Sequence, residues 1–168
     1  MHIDQYLVKS VLVVIVFVVL GACSDANQTQ NGVTQNSIHL TVHKRIKCSC
    51  CSKWIHHMRE NGFTTTSNNQ NDLSDIKQKY GIHKTLGSCH TSVTDDGFVF
   101  EGHIPAKFIQ KFLDEKPQDA RGLAVPAMPT GTPGMEFGDM LQPYRIYLLK
   151  NDGSIEIYAE VNSAKEQI

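Results

Sequence analysis

Residues 41–63 read TVHKRIKCSCCSKWIHHMRENGF, and this stretch decides the fold. It continues an alternating, β-branched segment, residues 38–42, which predicts a strand. Three cysteines then fall within four residues. After them the apolar side chains recur at the spacing of a helix that ends before Gly62, at Trp54, Ile55 and Met58. We therefore expect a strand that leads through a cysteine loop into a helix.

The chain beyond this stretch continues the alternation of strands and helices. We expect a strand at 63–67, a helix capped by Asn71 or Asp72, a hairpin turning at 95–97 and a helix between Pro105 and Pro117. The order βαβαββα is that of thioredoxin-like domains, an analogy that places the cysteine loop where this fold keeps its redox cysteines. A C-terminal β-hairpin, residues 144–149 and 155–161, is expected to extend the sheet or to pack beside it. The predicted fold class is therefore α/β and thioredoxin-like, with an added hairpin.

A long segment rich in proline, glycine and methionine lies between the last predicted helix and the C-terminal hairpin. Residues 121–138 read RGLAVPAMPTGTPGMEFG, and irregular loops of this length are usually functional or disordered. Thioethers are soft ligands that need no deprotonation, so Met128 and Met135 are candidate ligands for a soft metal ion. Methionine is more often a core residue than a ligand, and both interpretations stay open.

The N-terminal residues have the layout of a signal peptide. Lys9 precedes an apolar run, residues 11–20, that is shorter than the roughly 20 residues needed to cross a bilayer. The sequence LGAC at 20–23 resembles the lipobox of bacterial lipoproteins, which predicts lipidation of Cys23. Ordinary cleavage after Ala22 and a permanent membrane helix are the alternatives. The predicted divisions are a signal peptide at 1–22, a flexible tether at 23–37 and the metal-binding domain at 38–168.

The charge of the chain argues against a nucleic-acid-binding protein, and its size argues against a domain that depends on disulfide bonds for stability. Sixteen Lys and Arg residues against seventeen Asp and Glu residues give a net charge of −1, so we expect no nucleic-acid partner. A domain of this length can bury an ordinary core and needs no disulfide staple, although a structural disulfide framework stays an alternative.

The cysteines indicate thiol chemistry. Cys48 and Cys51 are spaced as C-x-x-C, and in a strand-to-helix turn the helix N–H groups stabilise a thiolate. Cys50 does not fit a simple dithiol, because a disulfide between sequence neighbours closes a strained ring. Three thiolates on one loop instead suit a soft metal ion. In the predicted fold Cys89 faces this loop and completes a site of four sulfur atoms.

The crowding of these thiols favours copper over zinc. Zinc sites usually have two separated cysteine pairs, whereas Cu(I) accepts low coordination numbers and thiolates bridge several copper ions. We therefore expect more than one Cu(I). A thiol–disulfide oxidoreductase, in which Cys48 attacks and Cys51 resolves, stays an alternative, as does a zinc-stabilised binding module.

Several histidines lie near the predicted site. His90 follows Cys89 directly, and neighbouring side chains on a strand ordinarily point in opposite directions, which favours a supporting or capping role for His90 over direct ligation. His103 ends a strand before a helix and either donates to the site or caps the structure. His56 and His57 are neighbours on a helix and cannot form a metal-binding pair on one face. We expect Trp54 to pack beneath the cysteine loop.

Four segments, in this order, resemble the CopG-type copper-resistance proteins of bacterial envelopes: CSCCSKWIHHMRENGF, LGSCHTSV, FVFEGHIPA and GLAVPAMPTGTPGME. The resemblance implies a thioredoxin-like periplasmic domain that binds copper and interconverts Cu(I) and Cu(II). The ligands that it implies are Cys48, Cys50, Cys51 and Cys89. The chain departs from the family at Ser49, where glycine is usual, and at Met58, where leucine is common.

The expected function follows from the N-terminus and this resemblance together. We expect a lipoprotein anchored to a membrane in the periplasm, with copper ions as its cargo. Copper-export machinery or other periplasmic copper proteins are the expected partners.

Overall fold

The computed structural model describes residues 37–168. The predicted signal peptide, the predicted lipidation site Cys23 and the predicted tether up to residue 36 lie outside the described residues. Within residues 37–168, no helix combines the length and the apolar character needed to cross a membrane.

The described residues form three α-helices and seven strands. In chain order these are β1 (His39–Arg45), α1 (Ser49–Glu60), β2 (Thr64–Gln70), α2 (Ser74–Lys79), β3 (His90–Thr94), β4 (Val99–Glu101), α3 (Ala106–Glu115), β5 (Ala120–Ala124), β6 (Tyr144–Lys150) and β7 (Ile155–Val161). The α/β class is confirmed, and the order through α3 is the predicted βαβαββα. The thioredoxin-like assignment itself stays a prediction.

All seven strands belong to one mixed sheet in the order β2-β1-β3-β4-β5-β6-β7. The pairs β1–β2 and β4–β5 are parallel and the other neighbours are antiparallel. The C-terminal hairpin, β6 and β7, thus extends the sheet, which is the first of the two expected arrangements.

The sequence prediction is wrong for the start of the segment at 121–138. Residues Ala120–Ala124 form β5, and their backbone pairs with β4 instead of forming an irregular loop. Gly122 suggests a loop in the sequence, yet its Cα lies so near the carbonyl of Val99 that any side chain would clash. Glycine in a strand often marks such a close approach of two backbones.

The sheet carries an apolar core on each of its faces. Helices α1 and α3 bury their apolar sides in one core, whereas the segment after α2 packs in a second, smaller core. Phe100 belongs to the first core and its neighbour Val99 to the second, as expected for alternating side chains of a strand. The first core holds α1 rigidly through Trp54, Ile55 and Met58, so the cysteines at its N-terminus have a fixed base.

Candidate metal centre

The cysteine loop occupies the turn between β1 and α1. The backbone N–H of Cys48 donates to the carbonyl of Arg45 over 3.1 Å, which reverses the chain at the end of β1. Cys48 is also the N-cap of α1, and its Sγ accepts the backbone N–H of Cys51 over 3.2 Å. When Cys48 is reduced, the unpaired N–H groups of the helix start favour negative charge on its sulfur.

Four sulfur atoms meet at this helix end, all within 4.8 Å of one another. Sγ of Cys89 lies 3.4 Å from Sγ of Cys51 and 3.9 Å from Sγ of Cys50, and Sγ of Cys50 lies 3.4 Å from Sγ of Cys48. Cys89 stands just before β3, which runs antiparallel beside β1, so the sheet itself brings this distant residue to the loop. We call these four residues the cysteine cluster.

Two members of the cysteine cluster are oxidised and two are free. A disulfide joins Cys48 and Cys51, whose Cα atoms are 5.4 Å apart, and Cys50 and Cys89 are free and half-buried. Burial is the main reason why the pKa of Cys89 is raised to about 12, and the neighbouring Cys50 adds to the effect. Cys89 is therefore a neutral thiol near pH 7, and metal binding has to remove its proton.

His103 contacts the cysteine cluster with one nitrogen of a buried ring. Its Nδ1 lies 2.8 Å from the carbonyl oxygen of Pro133, which accepts only, so Nδ1 carries the proton. Burial lowers the pKa of His103, so the ring is neutral near pH 7 and Nε2 has a free lone pair. That lone pair faces Sγ of Cys89 over 2.9 Å, where it accepts a hydrogen bond from the thiol or can bind a metal ion.

His90 lies behind the cluster and is fully buried. Its Nδ1 lies 3.5 Å from Sγ of Cys89, and its Nε2 has no hydrogen-bond partner among the described residues. Burial lowers the pKa of His90 well below its usual range, with a further contribution from His103. One nitrogen of each histidine and the sulfur of Cys89 all lie within 4.8 Å of one another, so a mixed N/S donor group adjoins the cysteine cluster.

Trp54 packs against this group from within the core. Its ring is fully buried, with its centroid 4.4 Å from that of His90, and its Nε1 donates to the carbonyl of Ile104 over 2.8 Å. Trp54 thus closes the inner side of the site to water, as the sequence suggested.

The loop after β5 closes the site on another side. Gly134 has a φ of +87°, and a Cβ there would lie 2.6 Å from the carbonyl oxygen of Cys50 and 2.8 Å from the backbone nitrogen of Trp54. A side chain at residue 134 would therefore collide with the first turn of α1. The neighbouring Pro133 is the residue that fixes the tautomer of His103.

The two methionines singled out in the sequence lie in different clefts beside the cluster. Met128 is half-exposed in a groove that also contains Cys48 and Cys89. Met135 is half-buried in a second cleft that contains Cys50 and a third methionine, Met140, which the sequence analysis did not single out. We call these the Met128 groove and the Met140 cleft.

The two helix histidines lie away from the cluster. His56 is exposed and pairs with Glu60 over 3.1 Å. His57 is half-buried, and its Nε2 accepts the backbone N–H of Ala106 at the start of α3 over 3.0 Å. The two histidines therefore have different partners, Glu60 and the backbone of Ala106.

The sequence analysis did not single out Glu101, a buried carboxylate next to the site. Glu101 is fully buried. Its Oε1 accepts the backbone N–H of Ser88 over 2.6 Å and forms an ion pair with Nζ of Lys77. Its Oε2 accepts the hydroxyl of Thr91 over 2.6 Å. The carboxylate thus holds the chain on both sides of Cys89 and His90. The available signal was a single acidic residue inside the apolar run FVFEGH.

Comparisons with known proteins point to one group of relatives. A family model described as a protein of unknown function, DUF411, matches residues 86–135. The solved structure of copper resistance protein CopG, form 1, is 39% identical, with a TM-score of 0.71 over 76% of this chain and 99% of that chain. Form 2 is 40% identical, with the same TM-score over 75% of this chain and 99% of that chain. No curated protein sequence matches.

Proposed function

Because the chain belongs to the CopG family of copper-resistance proteins, we propose that it binds copper through Cys48, Cys50, Cys51 and Cys89. The observation that carries this proposal is the convergence of four sulfur atoms within 4.8 Å of one another. Such a cluster of soft donors on a rigid helix end favours a thiophilic ion over Mg²⁺ or Ca²⁺, which prefer oxygen ligands.

The bound ion in this proposal is Cu(I), and more than one ion is bound. Cu(I) is soft, accepts two or three ligands and lets each thiolate bridge two ions, so closely spaced sulfurs are useful together. His103 presents a free Nε2 beside Cys89 and is an additional candidate ligand, with His90 behind it. Met128 and Met135 supply thioethers at the edges of the cluster.

Copper binding is coupled to the disulfide in this proposal. Reduction of the bond between Cys48 and Cys51 consumes two electrons and two protons and gives two thiols. Each thiol loses its proton when a copper–sulfur bond forms. Two Cu(I) ions that are oxidised to Cu(II) release the two electrons that the disulfide takes up, so the centre interconverts the two oxidation states.

The proposed location is the periplasm, with the domain held at a membrane by a lipid on Cys23. The motif LGAC and the apolar run before it support this location, and the polar residues 24–37 give the domain reach from the membrane. Copper-export machinery or other periplasmic copper proteins then receive the ions.

Copper stoichiometry tests the main proposal. Full-length protein is reduced, loaded anaerobically with Cu(I) and freed of excess metal, and copper and protein are then measured. We expect several equivalents in the wild type and a clear loss in Cys50→Ser. Cys23→Ser removes a cysteine outside the cluster and should retain the wild-type stoichiometry. Reduced wild-type protein that binds no Cu(I) would refute the proposal.

The disulfide at the start of α1 supports a second candidate, a thiol–disulfide oxidoreductase that uses Cys48 and Cys51. This function needs only that pair. Cys50→Ser and Cys89→Ser would then keep the ability to reduce a disulfide substrate such as insulin. Under the copper proposal, the same two variants bind less copper. Measuring both insulin reduction and copper stoichiometry on Cys50→Ser and Cys89→Ser therefore separates the two candidate functions.

A further inference from the structure

Cys50, which carries a free thiol, is one of the residues that line the Met140 cleft. The cleft has a volume of about 440 Å³, and its walls include Cys50, Lys53, Met135, Glu136, Phe137 and Met140. The cleft therefore combines one thiol of the cysteine cluster with two thioethers outside it.

The outer wall of this cleft carries apolar side chains that the fold leaves in water. Met140 is 60% exposed and Phe137 is 71% exposed. The two residues form an isolated β-bridge, in which the N–H of Met140 donates to the carbonyl of Phe137 over 3.2 Å. The core does not use the side chain of Met140, so packing does not account for a methionine at this position.

Backbone contacts hold the loop that carries both methionines. The N–H of Gly131 donates to the carbonyl of Met135, and the N–H of Gln142 donates to that of Thr130, each over 2.9 Å. Gly131 lies so close to the carbonyl of Met140 that a Cβ would clash. Binding at this loop therefore needs little ordering of the backbone, which lowers its entropic cost.

We propose that Met140, with Met135 beside it, forms an outer capture site that receives a soft monovalent ion and passes it to Cys50. This inference rests on the proposed function, because it concerns the route to the same cysteine cluster. It adds Met140, a residue outside the cluster, and a direction of entry.

The chemistry of the donors supports this order of events. A thioether binds Cu(I) without losing a proton, so it accepts the ion before any thiol is deprotonated. In the transfer, a copper–thioether bond breaks, a copper–thiolate bond forms, and the proton of Cys50 goes to solvent; no electron is exchanged. The cleft also contains one residue of each charge, Glu136 and Lys53. The backbone holds Glu136 in place, because its Oε1 accepts the N–H of Gly134 over 2.7 Å.

The rate of copper uptake tests the route. Reduced full-length protein takes Cu(I) from a coloured chelator in a stopped-flow experiment. Met140→Leu keeps the size of the side chain and removes the sulfur, so uptake should slow by roughly threefold or more with the final stoichiometry unchanged. Phe137→Leu is the matched control, because it alters an exposed apolar side chain on the wall of the same cleft and removes no sulfur. An unchanged rate in Met140→Leu, or equal slowing in both variants, overturns the inference.

Methyl NMR with Ag(I) tests the site itself. In a variant with all five cysteines changed to serine, no thiol competes for the ion, so Ag(I) should shift the ¹³C-methyl signals of Met140 and Met135. The signal of buried Met58 serves as an internal reference. Unshifted Met140 and Met135 signals overturn the inference. The proposed function fails separately, if reduced wild-type protein binds no Cu(I).

Discussion

Sγ of Cys89 lies 2.9 Å from Nε2 of His103, because the antiparallel pairing of β3 and β4 sets Thr91 opposite Glu101 and brings together the residues at the open end of this hairpin. The same imidazole is tied on its other side to the carbonyl of Pro133, in the loop after β5. His103 therefore links the fourth sulfur of the cluster to the loop that covers it.

Loss of this imidazole should weaken copper binding. His103→Gln removes a group that orients Cys89 through a hydrogen bond with its thiol and can bind the ion. We expect the affinity for Cu(I) to fall about 10- to 100-fold, the usual effect of changing a group that supports a metal ligand. Competition with a Cu(I) chelator measures the change. His56→Gln, at an exposed histidine outside the site, should keep the wild-type affinity. Equal affinities for the two variants would contradict the role of His103.

Gly134→Ala should destabilise the protein by forcing the covering loop away from α1. Overpacking and a strained φ each cost about 1–2 kcal/mol, and both act at this position. Gly153→Ala separates the two effects, since Gly153 has the same φ of +87° but nothing within 4 Å of a Cβ. Chemical denaturation should show a larger loss of unfolding free energy for Gly134→Ala. Equal losses of unfolding free energy in the two variants would show that the loop around Gly134 moves away from α1 with no additional loss of stability.

Glu101→Gln should loosen the chain around Cys89. The change leaves Lys77 without its buried partner and weakens the bond to the N–H of Ser88, at a cost of about 3 kcal/mol. Glu160→Gln is the control, because Glu160 pairs with Arg145 at the surface, where a salt bridge contributes less than about 1 kcal/mol. Denaturation measures stability, and the rate of alkylation of Cys89 should rise only in Glu101→Gln. A rate that stays at the wild-type value would show that Glu101 does not position Cys89.

Stability should fall on acidification, partly through His57. Burial lowers the pKa of His57 below 6.5, with Glu136 and Glu60 opposing the shift. The unfolded chain then binds more protons, so this contribution is present above pH 6.5 and is lost as the pH falls through the folded-state pKa. Protonation also ends the bond that His57 accepts from Ala106. The pKa values of His43, His90 and His103 are lowered too and act in the same direction.

Thermal unfolding between pH 7.5 and pH 5 checks this prediction, with both pH values chosen to bracket the usual histidine pKa of about 6.5. His57→Gln keeps an acceptor for the N–H of Ala106 but does not titrate, so its melting temperature should depend less on pH. His56→Gln, at the exposed neighbour, should follow the wild type. If the melting temperature of His57→Gln depended on pH as steeply as that of the wild type, His57 would not contribute to the loss of stability.

The sequence by itself determined the features that depend on neighbours in the chain. The strand, cysteine loop and helix at residues 39–60 follow from the periodicity of the apolar side chains. The Asp96-Gly97 and Asp152-Gly153 turns mark the two hairpins because glycine adopts the positive φ that each turn needs. The same local logic predicted Trp54 inside the core.

Only the tertiary structure decided the features that need two distant backbones to meet. Gly122 is a strand residue because β4 lies against it, and Gly134 is required because α1 lies against it. Glu101 is tolerated in the core because Lys77, Ser88 and Thr91 all reach its carboxylate. Met140 reaches the side of Cys50 through the packing of a loop. Periodicity reports which side of an element is buried, whereas the identity of the contacting group depends on long-range pairing that a single sequence does not encode locally.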